Sequence, residues 1–368
     1  LSTALARDIG AGPEHLANAS GLWFLSFAAM QLPLGWLLDR SGPRRTASAL
    51  LLVGGAGGAA LFALATMPAH ISAAMFLIGI GCSPCLMASY YIFAREYPPA
   101  RFATLAALML GAGSVGNLVA SYPTALAADW IGWRGTLWVL AVASALVALG
   151  ISLTVRDPAP TGEGQRGSVL SLMKLPVMWT ILPLMFVNYA PSGALRGLWI
   201  GPYLTDTFEL DTAQIGLATL VMGIAMICGT FAFGPLDRVF GTRKWVIFFG
   251  NGLAALSLFG LWLFPDNSVV TTTLLLSAVG LFGASFPLIM AHARAFFPPH
   301  LAGAGVTLIN LMGIGGVSLF QFASGGIFAA TKEGAASAAA PYQSLFLFFG
   351  LPLLVGLAIY LFSTDRTD

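Results

Sequence analysis

The chain has 368 residues, of which 57% are hydrophobic and 9% charged, and its formal net charge is +2. A soluble domain carries about 25% charged residues, so this sequence cannot cover a water-facing surface and is built for lipid. The small net charge and the lack of a basic tail speak against nucleic acid as a partner. Cys82, Cys85 and Cys228 all lie in apolar runs and form no disulfide framework. The sequence opens at Leu1 without a signal-peptide pattern, so its start is expected to be a truncation.

A membrane-crossing helix needs about 20 apolar residues. Taken in order, runs of that kind occupy 19–38, 47–67, 70–94, 102–127 and 134–155. A polar break rich in Pro and Gly follows from Arg156 to Lys174 and predicts a linker. Further runs occupy 176–204, 212–236, 243–264, 268–293, 302–329 and 341–363. Each of these roughly eleven spans must be helical, because backbone polar groups in lipid need partners within their own segment.

Alternate loops collect the basic residues: Arg40, Arg44 and Arg45; Arg95 and Arg101; Arg156, Arg166 and Lys174; Arg238, Arg243 and Lys244; Arg294; Arg366. The opposite loops carry Arg7, Arg134 and Lys332. By the positive-inside rule the first set, and with it the carboxyl terminus, is expected to be cytoplasmic.

The two halves repeat. Asp8 precedes Asp39 by the same interval as Asp206 precedes Asp237. Pro84-Cys85-Leu86-Met87-Ala88 matches Pro287-Leu288-Ile289-Met290-Ala291, and Ala94-Arg95 before Pro98-Pro99 matches Ala293-Arg294 before Pro298-Pro299. In the second half a whole span, 176–204, precedes Asp206, whereas only Leu1 to Ala6 precede Asp8. One helix is therefore expected to be missing from the first half.

Gly35-x-x-x-Asp39-Arg40-x-Gly42-x-Arg44-Arg45 resembles the signature loop between the second and third helices of the major facilitator superfamily. The resemblance implies an all-α membrane bundle of two pseudo-symmetric six-helix halves, here without the first helix. The halves would be residues 1–156 and 173–368, joined by a cytoplasmic linker at 157–172. It also implies a multi-pass transporter of the cell membrane that works by alternating access, with the first, fourth, seventh and tenth helices lining the cavity. Gly35, Asp39, Arg40, Arg44 and Arg45, with the second copy Asp237, Arg238 and Arg243, form a candidate conformational latch. Gly35 would let helices approach, and each Asp would pair with a partner in the opposite half. Two departures weaken a drug-antiport reading: no Arg precedes Gly79-Ile80-Gly81, and no Gly-Pro pair follows Gly116.

Intramembrane charge is costly and functional by default. Arg196 is the clear case, and its forked guanidinium favours an anionic substrate; an arginine snorkelling to the interface is the alternative. Asn188, Tyr189 and Trp199 on the same presumed cavity helix, with Ser83, Met87 and Tyr90 on the fourth, complete the candidate substrate site. Asn117, Asn310, Gln321 and Gln31 are read as interhelical hydrogen-bonding groups, and His292 as an interfacial polar residue. Met222 and Met226 with Cys82 and Cys85 offer soft ligands of the kind that suit a copper importer, but thioethers at helical spacing usually pack.

No nucleotide-binding loop or hydrolytic metal cluster occurs, so neither an enzyme nor a resident metal or cofactor is expected. The expected activity is transport of a small organic solute, with an anion favoured, by secondary active or facilitative means. Soft-metal uptake, xenobiotic efflux and a non-transporting membrane sensor are the alternatives. The expected partners are that solute, the lipid bilayer and a coupling ion, with the chain acting as a monomer.

Overall fold

The computed structural model describes residues 2–96, 122–158, 172–297, 302–335 and 337–367, with scattered positions between 105 and 120. Every predicted apolar run other than 102–127 coincides with a helix; that one lies largely outside the described residues. Among the described residues eight helices are long and apolar enough to cross a membrane. The chain divides into two compact units, Leu1–Gly164 and Gln165–Asp368.

In the first unit the helix Pro13–Leu50 is interrupted at Gly42, whose φ of 77° turns the chain at the charged loop. Pro43 follows it, and its fixed φ and missing N–H suit the first turn of a new helix. A π-helical stretch, Leu51–Ala56, and the helix Gly57–Ala63 complete the next span. Pro68–Cys82 and Pro84–Glu96 form one span broken at Ser83, because Pro84 has no N–H to continue the ladder. Tyr122–Thr154 closes the unit and bends at Gly132, φ 73°.

Pro13–Leu50 and Gly57–Ala63 both pack on Pro68–Cys82. The approach is close because it is made of glycine. A Cβ on Gly81 would stand 2.1 Å from the Gly55 nitrogen, and one on Gly54 would stand 2.5 Å from the Gly81 nitrogen. Without a hydrophobic force between helices in lipid, such backbone contact supplies much of the association.

In the second unit the run 176–204 becomes four pieces: Met178–Asn188, Ala190–Ala194, the π-helical Leu195–Trp199, and Ile200–Phe208. Thr212–Phe240 starts from a capping box, with Asp211 accepting from the Gln214 amide at 2.8 Å and Gln214 accepting from the Asp211 amide at 3.1 Å. It ends at Gly241, φ 65°. Lys244–Leu263, Val269–Gly283, Phe286–Arg294, Ala302–Lys332 and Ala340–Tyr360 follow. The aromatic core joins Trp199, Tyr203, Phe328, Tyr342 and Phe346, with ring centroids 4.8 to 5.2 Å apart along the chain of contacts.

The duplication is written in the backbone. Among the described residues the left-handed positions are Gly10, Gly42 and Gly132 in the first unit, and Glu209, Gly241 and Gly334 in the second. Each pair is about two hundred residues apart. The aspartates that lie thirty-one residues before Asp39 and Asp237 are held alike: Asp8 accepts from the Trp133 indole at 2.8 Å, and Asp206 from the Tyr342 hydroxyl at 2.5 Å.

At Gly35 an added Cβ meets no atom of the described residues within 4 Å. Gly81→Ala is therefore expected to cost about 1–3 kcal/mol, the usual penalty of overpacking, and Gly35→Ala to cost nothing measurable. Thermal unfolding of the two variants in detergent checks the contrast.

Candidate functional site

The predicted span 176–204 breaks where its polar residues cluster. Tyr189 ends one helix, and Pro191 removes a backbone donor one turn before the π-helical stretch that carries Arg196. A π-turn widens the helix and re-aims side chains, and such turns concentrate at functional sites. Here the half-buried Arg196 guanidinium lies over Gly223 of Thr212–Phe240, where a Cβ would stand 3.1 Å from its Nε and Nη2. Tyr189 is half-buried one turn below Gly193 and faces Phe286 at 6.0 Å between centroids.

The other residues predicted for the substrate site are placed differently. Asn188 is 1% exposed. Its amide donates to Asn251 Oδ1 at 2.5 Å and to Ser285 Oγ at 3.1 Å, while Asn251 donates to Ser285 Oγ at 2.9 Å. These hydrogen bonds tie three helices of the second unit together. Trp199 lies in the aromatic core, with its indole N–H on Ser324 Oγ at 3.1 Å. Ser83 is buried and donates to the Ile80 carbonyl at 2.7 Å. Met87 packs against the Leu34, Leu38 and Ala88 cluster, and Tyr90 is half-buried.

The charged loop of each unit is anchored by an acid that follows the unit's last helix. In the first unit Asp157 accepts from the Arg44 amide at 2.8 Å and pairs with its Nε at 3.7 Å. Arg40 is exposed and lies over the Trp36 ring at 5.3 Å, and Arg45 is exposed. The Asp39 side chain lies outside the described residues. In the second unit Asp365 accepts from the Arg243 and Lys244 amides at 3.1 and 2.9 Å, and from the Thr242 hydroxyl at 2.5 Å. Asp237 is paired within its own unit. Arg243 donates Nε to Asp237 Oδ2 at 3.0 Å, and Nη2 lies 3.0 Å from the same oxygen. Six residues separate the two, so the turn at Gly241 delivers the guanidinium straight back to the carboxylate. Arg238 is exposed. A cavity of about 570 Å³ opens beside this pair, lined by Thr230, Asp237, Arg243, Pro287, Ala291 and Thr367.

Comparison with known proteins accounts for this architecture. The Major Facilitator Superfamily model matches residues 1–199 and 181–368. The chain belongs to the Major Facilitator Superfamily. It is 24% identical over 278 residues to the sialic acid transporter NanX of Escherichia coli (strain K12), covering 71% of this chain and 65% of that protein. It is 24% identical over 245 residues to a chloramphenicol resistance protein of Streptomyces lividans, covering 64% and 62% respectively. The match thus spans a little under two thirds of either relative. A bacterial homologue of the human lysosomal transporter Spinster, in an inward-facing and occupied conformation, shares the fold with a TM-score of 0.77 at 16% identity, covering 98% of this chain and 90% of that one.

In this Major Facilitator Superfamily chain the sequence located both charged loops but missed the acids that anchor them. One signal was available: Asp157 and Asp365 each lie a few residues past the last helix of a half, beside Arg156 and Arg366. His292, in the last turn of Phe286–Arg294, is fully buried, with partners described below.

Asp365 lies outside the spans. Burial raises its carboxyl, but hydrogen bonds from Thr242 and the Lys244 and Arg243 amides outweigh that and hold it below the ordinary value. A carboxyl lowered on folding contributes stability that is present above its unfolded value of about 3.9 and is lost as pH falls through the folded value. Unfolding of the detergent-solubilised chain should therefore ease below about pH 4, and Asp365→Asn should make that decline shallower. Thermal midpoints at stepped pH test this.

Proposed function

We propose that this protein carries a small organic solute bearing a carboxylate across the cell membrane by alternating access, with its basic loops and carboxyl terminus on the cytoplasmic side. The observation that carries the reading is Arg196: an intramembrane guanidinium, half-buried on a π-turn and seated on a glycine of the neighbouring helix. A planar fork of donors matches a carboxylate in two parallel hydrogen bonds, which an ammonium cannot do. Tyr189, about two turns away, is the polar aromatic best placed to bind beside it. The similarity to a sialic acid transporter supports an acidic solute, and family membership supports transport itself.

On this reading Asn188 and Trp199 shape the wall without touching the solute, since their polar atoms serve the packing of the second unit. Of the first unit's candidates, the half-buried Tyr90 is the one proposed to meet solute, since Ser83 is buried and Met87 packs beside Leu34 and Leu38. The likeness to a chloramphenicol resistance protein supports xenobiotic efflux as the second reading.

A thermal-shift screen of sugar acids and other carboxylates, against their uncharged amides, tests the proposal on the purified full chain. A carboxylate should raise the melting temperature of the wild type while its amide does not. Arg196→Gln should weaken that ligand by about 10- to 100-fold, the loss of a charged hydrogen-bond pair worth about 1.5–3 kcal/mol. Arg196→Lys should fall between the two. Equal affinity in all three proteins, or a preference for uncharged aromatic compounds, would refute the carboxylate reading and favour efflux.

A further inference from the structure

The end of the chain forms a strap across the second unit. Past Tyr360 the backbone leaves its helix and runs over the start of Lys244–Leu263. Lys244 Nζ donates to the Leu361 and Ser363 carbonyls at 2.7 and 2.8 Å. Arg243, already paired with Asp237, donates Nη1 to the Arg366 carbonyl at 3.3 Å and Nη2 to the Thr367 carbonyl at 3.0 Å. Asp365 caps the helix beneath, and Arg366 lies over the Phe296 ring at 5.6 Å.

Under this strap sits His292, 0% exposed. Its Nε2 is 3.0 Å from the Thr364 carbonyl and its Nδ1 is 2.7 Å from the Tyr360 hydroxyl. A carbonyl only accepts, so Nε2 carries the hydrogen and Nδ1 accepts from Tyr360. The neutral imidazole is thereby fully satisfied, and one of its two bonds is made to the strap itself.

We propose that the carboxyl-terminal strap is a proton-sensitive clasp, with His292 as its proton-binding group. Arg243 and Lys244 at the start of their helix and Asp365 on the strap are the charged groups that act on the ring, Tyr360 of the last helix is hydrogen-bonded to it, and Asp237 is paired with Arg243. With the imidazole neutral, Asp237 and Asp365 balance Arg243 and Lys244. A proton on Nδ1 adds an unmatched cation on a ring that has no exposed surface, which is costly. It also turns Nδ1 from acceptor to donor, so the Tyr360 hydroxyl must rotate to accept. When the strap lifts, the ring reaches water and titrates near its ordinary value of about 6.5. The proton therefore binds the released form better, and acid shifts the population toward it. This goes beyond the transport reading and requires no particular solute.

The test uses the purified full chain in detergent, with Cys82, Cys85 and Cys228 changed to Ser and a nitroxide attached through Thr367→Cys. Only the backbone carbonyl of Thr367 is bonded to Arg243, and its exposed side chain can be replaced. The label should be immobile at pH 8. A proton held only by the released form raises the mobile-to-immobile ratio about tenfold for each pH unit below about 6.5, so a rise of about tenfold is expected by pH 5.5. His292→Gln keeps an N–H for Thr364 but cannot take up a proton, and should show no such rise. Asp365→Asn should be mobile already at pH 8, which establishes that the label reports docking. An unchanged wild-type spectrum from pH 8 to 5.5, or the same response in His292→Gln, overturns the proposal. Should His292→Gln misfold or be mobile at pH 8, amide exchange over Thr364–Thr367 of the wild type, corrected for intrinsic rate, decides. Protection lost below about pH 6.5 supports the clasp, and protection that persists overturns it.

Discussion

A chain surrounded by hydrocarbon cannot borrow hydrogen bonds from its solvent, and every other feature of this protein is arranged around that constraint. Each span is a helix because only a helix satisfies backbone groups along its own length. The breaks in those helices occur where something else meets the cost. Gly42 and Gly241 turn the chain at the charged loops, where the acids Asp157 and Asp365 accept from the freed amides that follow. At Tyr189 the span breaks before Pro191 and continues through a π-turn, and the buried amide of Asn188 beside the break bonds to Asn251 and Ser285.

The same constraint explains how the helices hold together. Lipid tails are as apolar as leucine, so association relies on close packing and on a few buried polar contacts. The first unit uses the Gly54–Gly81 contact, backbone against backbone. The second uses a compact aromatic cluster and the Asn188–Asn251–Ser285 group. In each unit the charged loop is then tied down, Arg44 and Arg243 being drawn to acids supplied by the segment that follows the unit's last helix. An arrangement of this kind fixes the ends of the helices firmly while leaving the fixing groups near water, where protons and salt can act on them. Arg196 stands apart from it, a charge away from the helix ends whose seat is a glycine on the next helix.

Much of this was legible in the residues themselves. Apolar run length dictates the spans, because the thickness of the hydrocarbon is fixed. The duplication was readable because the two charged loops need the same residue types: glycine recurs at 42 and 241, where each loop takes its positive-φ turn. Arg196 was conspicuous because a charge inside a span has few innocent explanations. What the sequence could not show was which polar groups share a pocket. Asn188 reads like a ligand-binding residue until Asn251 and Ser285 are found against it, and His292 reads like an interfacial residue until Tyr360 and Thr364 close over it. By itself the sequence determined the membrane bundle, its two-fold repetition and the position of its charges, since these depend on spacing along one helix. Only the tertiary structure decided that Asp365 anchors the loop at Arg243 and that the last residues of the chain cover His292, because those contacts join segments more than seventy residues apart and no local pattern records them.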